Sequence, residues 1–248
     1  MEAEQTHKKL HLKDLIVFEN DEIVILNKPS GVLSVPDRFD QSLISLKQLL
    51  RNHFGNIFVV HRLDRDTSGI ILFAKNEVSH KYFSQAFEKR EVEKTYYGIV
   101  HGKMTDQKGT IAESIAEHPA ANGKMMIDHK GKPSVTHYEV LEEARNFSFV
   151  QFIIETGRTH QIRVHMQHLG HSVVCDEFYG TKDPILLSSL KKKFKLSKNE
   201  LEERPILARL ALHAWKLSFK DHSGKHFSFE APLPKDMRAF LQQLKKQG

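Results

Sequence analysis

The stretch Phe58-Val59-Val60-His61-Arg62-Leu63-Asp64-Arg65-Asp66-Thr67-Ser68-Gly69-Ile70-Ile71-Leu72-Phe73-Ala74 sets two apolar runs on either side of a charged segment. The flanking runs, rich in β-branched and aromatic residues, predict buried strands. Arg62, Asp64, Arg65 and Asp66 make a poor core between them, so residues 61–69 are expected to form a site-bearing loop at the end of a sheet. Asp64 has arginines on both sides in sequence. A carboxylate among guanidinium groups favours its anion, which suits a nucleophile or charge stabiliser rather than a proton donor. The same segment also reads as a salt-bridged structural turn, with Thr67-Ser68-Gly69 satisfying backbone groups.

Outward from this loop, Ile23-Val24-Ile25-Leu26 predicts a buried strand that stops at the turn residues Asn27-Lys28-Pro29-Ser30-Gly31. Leu43, Leu46, Leu49, Leu50 and Phe54 recur at helical spacing, and a second helix over 77–88 would bury Tyr82, Phe83, Ala86 and Phe87. Further strands are expected at 96–100, 135–141, 149–154, 210–219 and 227–229, with a short helix over 163–169 stopped by Gly170. A last helix follows Pro234 and lines Met237, Phe240, Leu241 and Leu244 on one face. Strands outnumber helices and are joined mostly by short turns, so the fold class is α+β with a mixed, largely antiparallel sheet. Residues 1–18 read as a polar lead-in and 19–248 as a single domain, interrupted by a basic insertion at about 181–206. That insertion contains Lys191-Lys192-Lys193-Phe194-Lys195 and reads as a solvated loop or as an arm for a phosphate backbone.

The 248 residues carry a net charge of +6, which permits a polyanionic partner without requiring one. A single cysteine excludes an internally disulfide-stapled domain. The polar, acidic start and the short apolar runs predict neither a signal peptide nor a membrane span, hence a cytoplasmic protein. A second dense segment is Gly157-Arg158-Thr159-His160-Gln161-Ile162-Arg163-Val164-His165, donor-rich and suited both to pairing with Asp64 and to contacting phosphates. His160, His165, His168 and His171 cluster in sequence, but their spacing matches no familiar metal motif, and no metal is expected. Cys175 ends an apolar run and reads as a buried, inert thiol, and Trp215 as part of the core. One of Tyr96 and Tyr97 would serve a site, by stacking on a base or relaying a proton.

Taken in order, these segments resemble the RluA-type RNA pseudouridine synthases. The resemblance rests on Asn27-Lys28-Pro29-Ser30-Gly31, His61-Arg62-Leu63-Asp64 with Thr67-Ser68-Gly69, Lys94-Thr95-Tyr96 and the segment from Gly157 to His165. Asp176 with Tyr179-Gly180, and Leu212-His213-Ala214, follow in register. It implies a cofactor-free isomerase that turns uridine in ribosomal or transfer RNA into pseudouridine, on a two-halved sheet with a cleft between the halves. It further implies that Asp64 is the catalytic carboxylate, that Tyr96 packs on the target base and assists proton removal from C5, and that Arg163 pairs with Asp64. Arg62 would fill the space of the extruded uridine. Arg65, Arg158, His160, Lys191, Lys192 and Lys193 are the further candidates for RNA contact. Many members carry an N-terminal S4 RNA-binding module, for which the 26 residues before Asn27 are too few, and Cys175 stands where glycine is expected. No obligate protein partner is expected, and a monomer is. A histidine-based metallohydrolase and an RNA chaperone on the same fold are the competing readings.

Overall fold

The computed structural model describes residues 10–120, 123–191, 194–196 and 202–246. Twelve strands are described: β1 (Ile16–Glu19), β2 (Ile23–Lys28), β3 (Phe58–Val59), β4 (Ser68–Ala74), β5 (Glu93–His101), β6 (Lys108–Ile111), β7 (Ile115–Glu117), β8 (Met125–Ile127), β9 (Thr136–Ala144), β10 (Phe147–Ile154), β11 (Leu212–Lys220) and β12 (His226–Glu230). The helices are α1 (Leu46–Phe54), α2 (Glu77–Glu88), α3 (Gln161–His168), α4 (Leu187–Leu190) and α5 (Lys235–Lys245). Ten strands form one sheet in the order β1-β2-β4-β11-β5-β10-β9-β6, with β3 on β4 and β12 on β11. Every pairing in it is antiparallel except β4 with β11, where His213 meets Ser68 and Ala214 meets Gly69. β7 and β8 form a separate hairpin.

The parallel junction is the seam between the two halves of the sheet, and the alternation of β4 side chains between its two faces explains why the strand is buried throughout. Ile71 and Phe73 pack into a core that includes Leu46 and Leu50 of α1 and Met237, Phe240 and Leu244 of α5. Ile70 and Leu72 face the opposite core, with Phe83 and Ala86 of α2. A strand buried on both faces reads as one continuous hydrophobic run. Gly69 is required at the seam because a Cβ there would stand 2.1 Å from the Ala214 carbonyl oxygen, at φ +116.

Helix α2 begins and ends where its periodicity predicts, with the Asn76 side chain accepting from the Ser79 N–H at 2.9 Å. Helix α1 starts later than the leucine pattern suggests. Ser45 caps it by accepting from the Gln48 N–H, and Leu43 is left 39% exposed outside it. The sheet starts earlier than the lead-in boundary at residue 18, because Ile16 and Phe18 pair with β2 across a tight turn closed by the Asn20 side chain. β6, β7, β8 and α4 are too short or too polar to register as periodic runs. Cys175 is buried as expected and takes φ 58, the left-handed backbone that a glycine would adopt freely. Trp215 is half-buried and stacks on Tyr97 at 4.5 Å. Among the described residues, no helix is long and apolar enough to cross a membrane.

Candidate active site

The loop between β3 and β4 carries Asp64, and its backbone is gripped on both sides of that residue. Ser34 Oγ donates to the Leu63 carbonyl at 2.8 Å and accepts from the Leu63 N–H at 3.0 Å. The Gly31 N–H donates to the Arg65 carbonyl, and Ser30 Oγ donates to the Asp66 carbonyl at 2.7 Å. Lys28 is fully buried, and its ammonium donates to the carbonyls of Arg65 (2.6 Å), Val32 (2.7 Å) and Pro29 (3.1 Å). Burial pulls the Lys28 pKa down to about 7, with Asp66 and Asp64 opposing the shift. Three acceptors around one nitrogen match the three donors of an ammonium and favour that form against the cost of burial. The turn from Asn27 to Gly31 therefore serves as the clamp of the Asp64 loop.

His61, next in the loop, is structural. Its Nε2 accepts the Leu72 N–H at 2.9 Å and its ring stacks on Phe87. Burial, with Lys94 nearby, drives its pKa down to about 3, so it stays a neutral acceptor.

The basic groups that reach the Asp64 carboxylate come from α3 and its cap, 96 and more residues away in sequence. Arg163 Nη1 lies 3.4 Å from Asp64 Oδ2, and His160 Nε2 lies 3.9 Å from the same oxygen. The sequence neighbours Arg62 and Arg65 are not these partners. Arg62 is exposed on the cleft wall, and Arg65 pairs with Asp66 at 3.3 Å on the outer surface. Arg163 is held chiefly by Asp176, through Nε to Oδ2 and Nη2 to Oδ1, both at 2.7 Å. Its guanidinium also lies over the rings of Phe178 and Tyr179, at 5.4 and 5.0 Å. Asp176 is completely buried and accepts the Phe178 and Tyr179 N–H groups as well, so its charge is fully compensated. Among the polar residues of α3, Gln161 and His165 are structural. Gln161 bonds Val135, Thr136, Thr156 and Arg158, and His165 bonds Ser134, Thr136 and the Glu113 carbonyl.

These groups line an open cleft together with the apolar side chains of Leu63, Ile154 and Leu212. Asp64, Tyr96, Arg163, His160, Arg62 and Arg158 line it. An adjoining groove shares Arg62, Tyr96 and Arg158 and adds Arg90 and Lys94. Tyr96 comes from β5, and burial together with the Asp64 charge raises its pKa, so it rests as a phenol. Among the described residues, no cluster of three or more His, Cys, Asp or Glu side chains is arranged to hold a metal ion. Lys191 follows α4 and is half-buried; Lys192 and Lys193 lie outside the described residues.

The profile of a family described as RNA pseudouridylate synthase matches residues 22–168, which include Asp64, Tyr96 and Arg163. The chain belongs to the RNA pseudouridylate synthase family. Among its relatives, the ribosomal large subunit pseudouridine synthase D of Buchnera aphidicola is 39% identical over 91% of this chain and 72% of its own length. The protein of the same name from Nitrosomonas europaea is 34% identical over 98% of this chain and 69% of its own length. The solved structure of human RNA pseudouridylate synthase domain containing 4 shares the fold, with a TM-score of 0.72 at 24% identity over 94% of both chains. As an RNA pseudouridylate synthase, the chain is an isomerase of uridine in RNA. Four residues that build the site had no role assigned from sequence: Lys28, Ser34, Asp176 and Tyr179. Lys28, Asp176 and Tyr179 stand in the ordered motifs, which was the available signal, whereas nothing around Ser34 marked it.

Proposed function

We propose that the chain isomerises uridine in large-subunit ribosomal RNA, with Asp64 as the reacting carboxylate. The observation that carries this reading is the convergence of Asp64, Tyr96 and Arg163 on one cleft, in a chain whose relatives act by name on the large ribosomal subunit. In the reaction the N1–C1′ bond breaks, the uracil turns, and a C5–C1′ bond forms. C5 loses a proton and N1 gains one, so no atom, electron or group enters or leaves overall. An anionic carboxylate fixed by Arg163 would act at the sugar, as nucleophile at C1′ or as base at C2′. Tyr96 would present its ring to the uracil and its hydroxyl to the proton leaving C5. A uridine stacked in a helix is out of reach of such a cleft, so the base must be extruded, and Arg62 on the cleft wall is suited to take its place in the stack. Arg65, Arg158 and Lys191–Lys193 are proposed as RNA contacts. The domain that begins with β1 would act as one catalytic unit, as a monomer in the cytoplasm, with the 181–206 insertion as a basic arm on the RNA.

The test is mass spectrometry of chemically labelled pseudouridine in ribosomal and transfer RNA after incubation with the protein. Asp64→Asn is expected to abolish formation of the product. Wild-type turnover by that variant would remove Asp64 from the chemistry, and product found in transfer RNA alone would replace the ribosomal substrate.

A further inference from the structure

His160 occupies the cap of α3 with φ 55 and ψ 20, a left-handed conformation that histidine, asparagine and aspartate enter more readily than most side chains. Its two ring nitrogens have different surroundings. Nδ1 lies 2.8 Å from the Tyr179 hydroxyl, and Nε2 lies 3.9 Å from Asp64 Oδ2. The Tyr179 hydroxyl, in a side chain only 3% exposed, already accepts the Met125 N–H of β8 at 2.8 Å. A phenol has one proton to give, and among the described residues the acceptor within reach is Nδ1. A phenol that donates to Nδ1 leaves the ring proton on Nε2, facing Asp64. Burial lowers the His160 pKa and raises that of Tyr179 to about 12, which favours a neutral ring and a donating phenol.

We propose that His160 is a positioning residue for Asp64, held in its Nε2–H tautomer by the Tyr179 hydroxyl, and that it supplies a second donor to Asp64 Oδ2 beside Arg163. The 3.9 Å separation is one small shift from a hydrogen bond, and catalytic hydrogen bonds are commonly long until substrate fills the site. The β7–β8 hairpin thereby reaches the reacting carboxylate through one backbone N–H, one phenol and one imidazole. This inference rests on Asp64 being the reacting carboxylate and gives His160 a different task from RNA contact.

The test has a spectroscopic and a kinetic arm. In the full chain labelled with 15N-histidine, the His160 signals, identified by their loss in His160→Asn, are expected to show a protonated Nε2 and a bare Nδ1. Tyr179→Phe should convert them to a mixture of tautomers. An Nδ1–H tautomer in the wild type, or an unchanged tautomer in Tyr179→Phe, would overturn the proposal whatever Asp64 does. His160→Asn suits the left-handed backbone but is too short to reach Asp64, and kcat should fall roughly 10- to 100-fold. KM for RNA should stay within about twofold. His160→Gln, which restores an N–H at similar reach, should recover much of kcat. A loss confined to KM would make His160 an RNA contact and overturn the positioning role. Activity retained by Asp64→Asn would instead sink the assignment of the carboxylate and leave the tautomer result standing.

Discussion

A tyrosine that ionises only well above its ordinary range enters a reaction as a phenol. Tyr96 is in that state because it is buried beside Asp64, so any proton it accepts from C5 must be matched by release of its own. Removing the hydroxyl while keeping the ring separates stacking from proton transfer. Tyr96→Phe is expected to bind RNA close to wild type and to turn over about 100-fold more slowly or worse, read from single-turnover kinetics against a binding isotherm. Equal turnover would confine Tyr96 to stacking. Asp176 acts one contact further out. It reaches no substrate atom in this reading, yet it takes both 2.7 Å bonds from Arg163. Asp176→Asn leaves a buried guanidinium without the nearer of its two counter-charges and should cost about 3 kcal/mol of stability in urea unfolding. The same substitution should depress kcat, because the Arg163 contact to Asp64 is the longer and weaker of its two carboxylate interactions.

At the scale of elements, the site depends on how closely two strands approach. β4 and β11 run parallel through only two paired positions, Ser68 with His213 and Gly69 with Ala214, directly after the Asp64 loop. Arg209 secures the same point, reaching Ser68 Oγ at 3.2 Å while making a two-bond pair with Asp236 in the first turn of α5. Gly69→Ala would press a methyl group into the Ala214 backbone at a φ that L-residues avoid. The expected result is a loss of at least about 3 kcal/mol, measured as a lowered thermal midpoint or as insoluble protein. A variant as stable as wild type would mean that the two strands have room to separate. Element positions were largely readable from the chain: α2, α5 and the long strands follow their hydrophobic periods. The ends of α1 and β1 were not, because a serine cap and a short edge pairing decided them rather than a repeat of apolar residues.

For the molecule as a whole, the charge of +6 is modest, so affinity for RNA must come from where the cations sit. Arg62 and Arg158 line the cleft and its adjoining groove together. If Arg158 neutralises a phosphate, Arg158→Gln should flatten the slope of log affinity against log salt by about 0.7 for single-stranded RNA. An unchanged slope in a titration from low to moderate salt would assign that residue to base or loop contacts instead. Arg65, paired with Asp66 outside the cleft, is expected to change the slope less.

The order of short motifs along the chain was enough to reach the family and to single out Asp64, Tyr96 and Arg163, which the fold brings to one cleft, and the run of strands with short turns gave the α+β class. The resemblance also named Arg163 as the partner of Asp64; what holds that arginine in place was beyond the motifs. The guanidinium beside Asp64 is not the one next to it in sequence but the one 99 residues later, and that arginine is oriented by a carboxylate a further 13 residues on. Lys28 is committed to a carbonyl 37 residues away, and β11 enters the sheet between β4 and β5 from far along the chain. Sequence adjacency sets which charges are near in the chain. Side-chain direction and the return of distant strands and helices set which charges meet, and only burial in the finished fold makes those meetings strong.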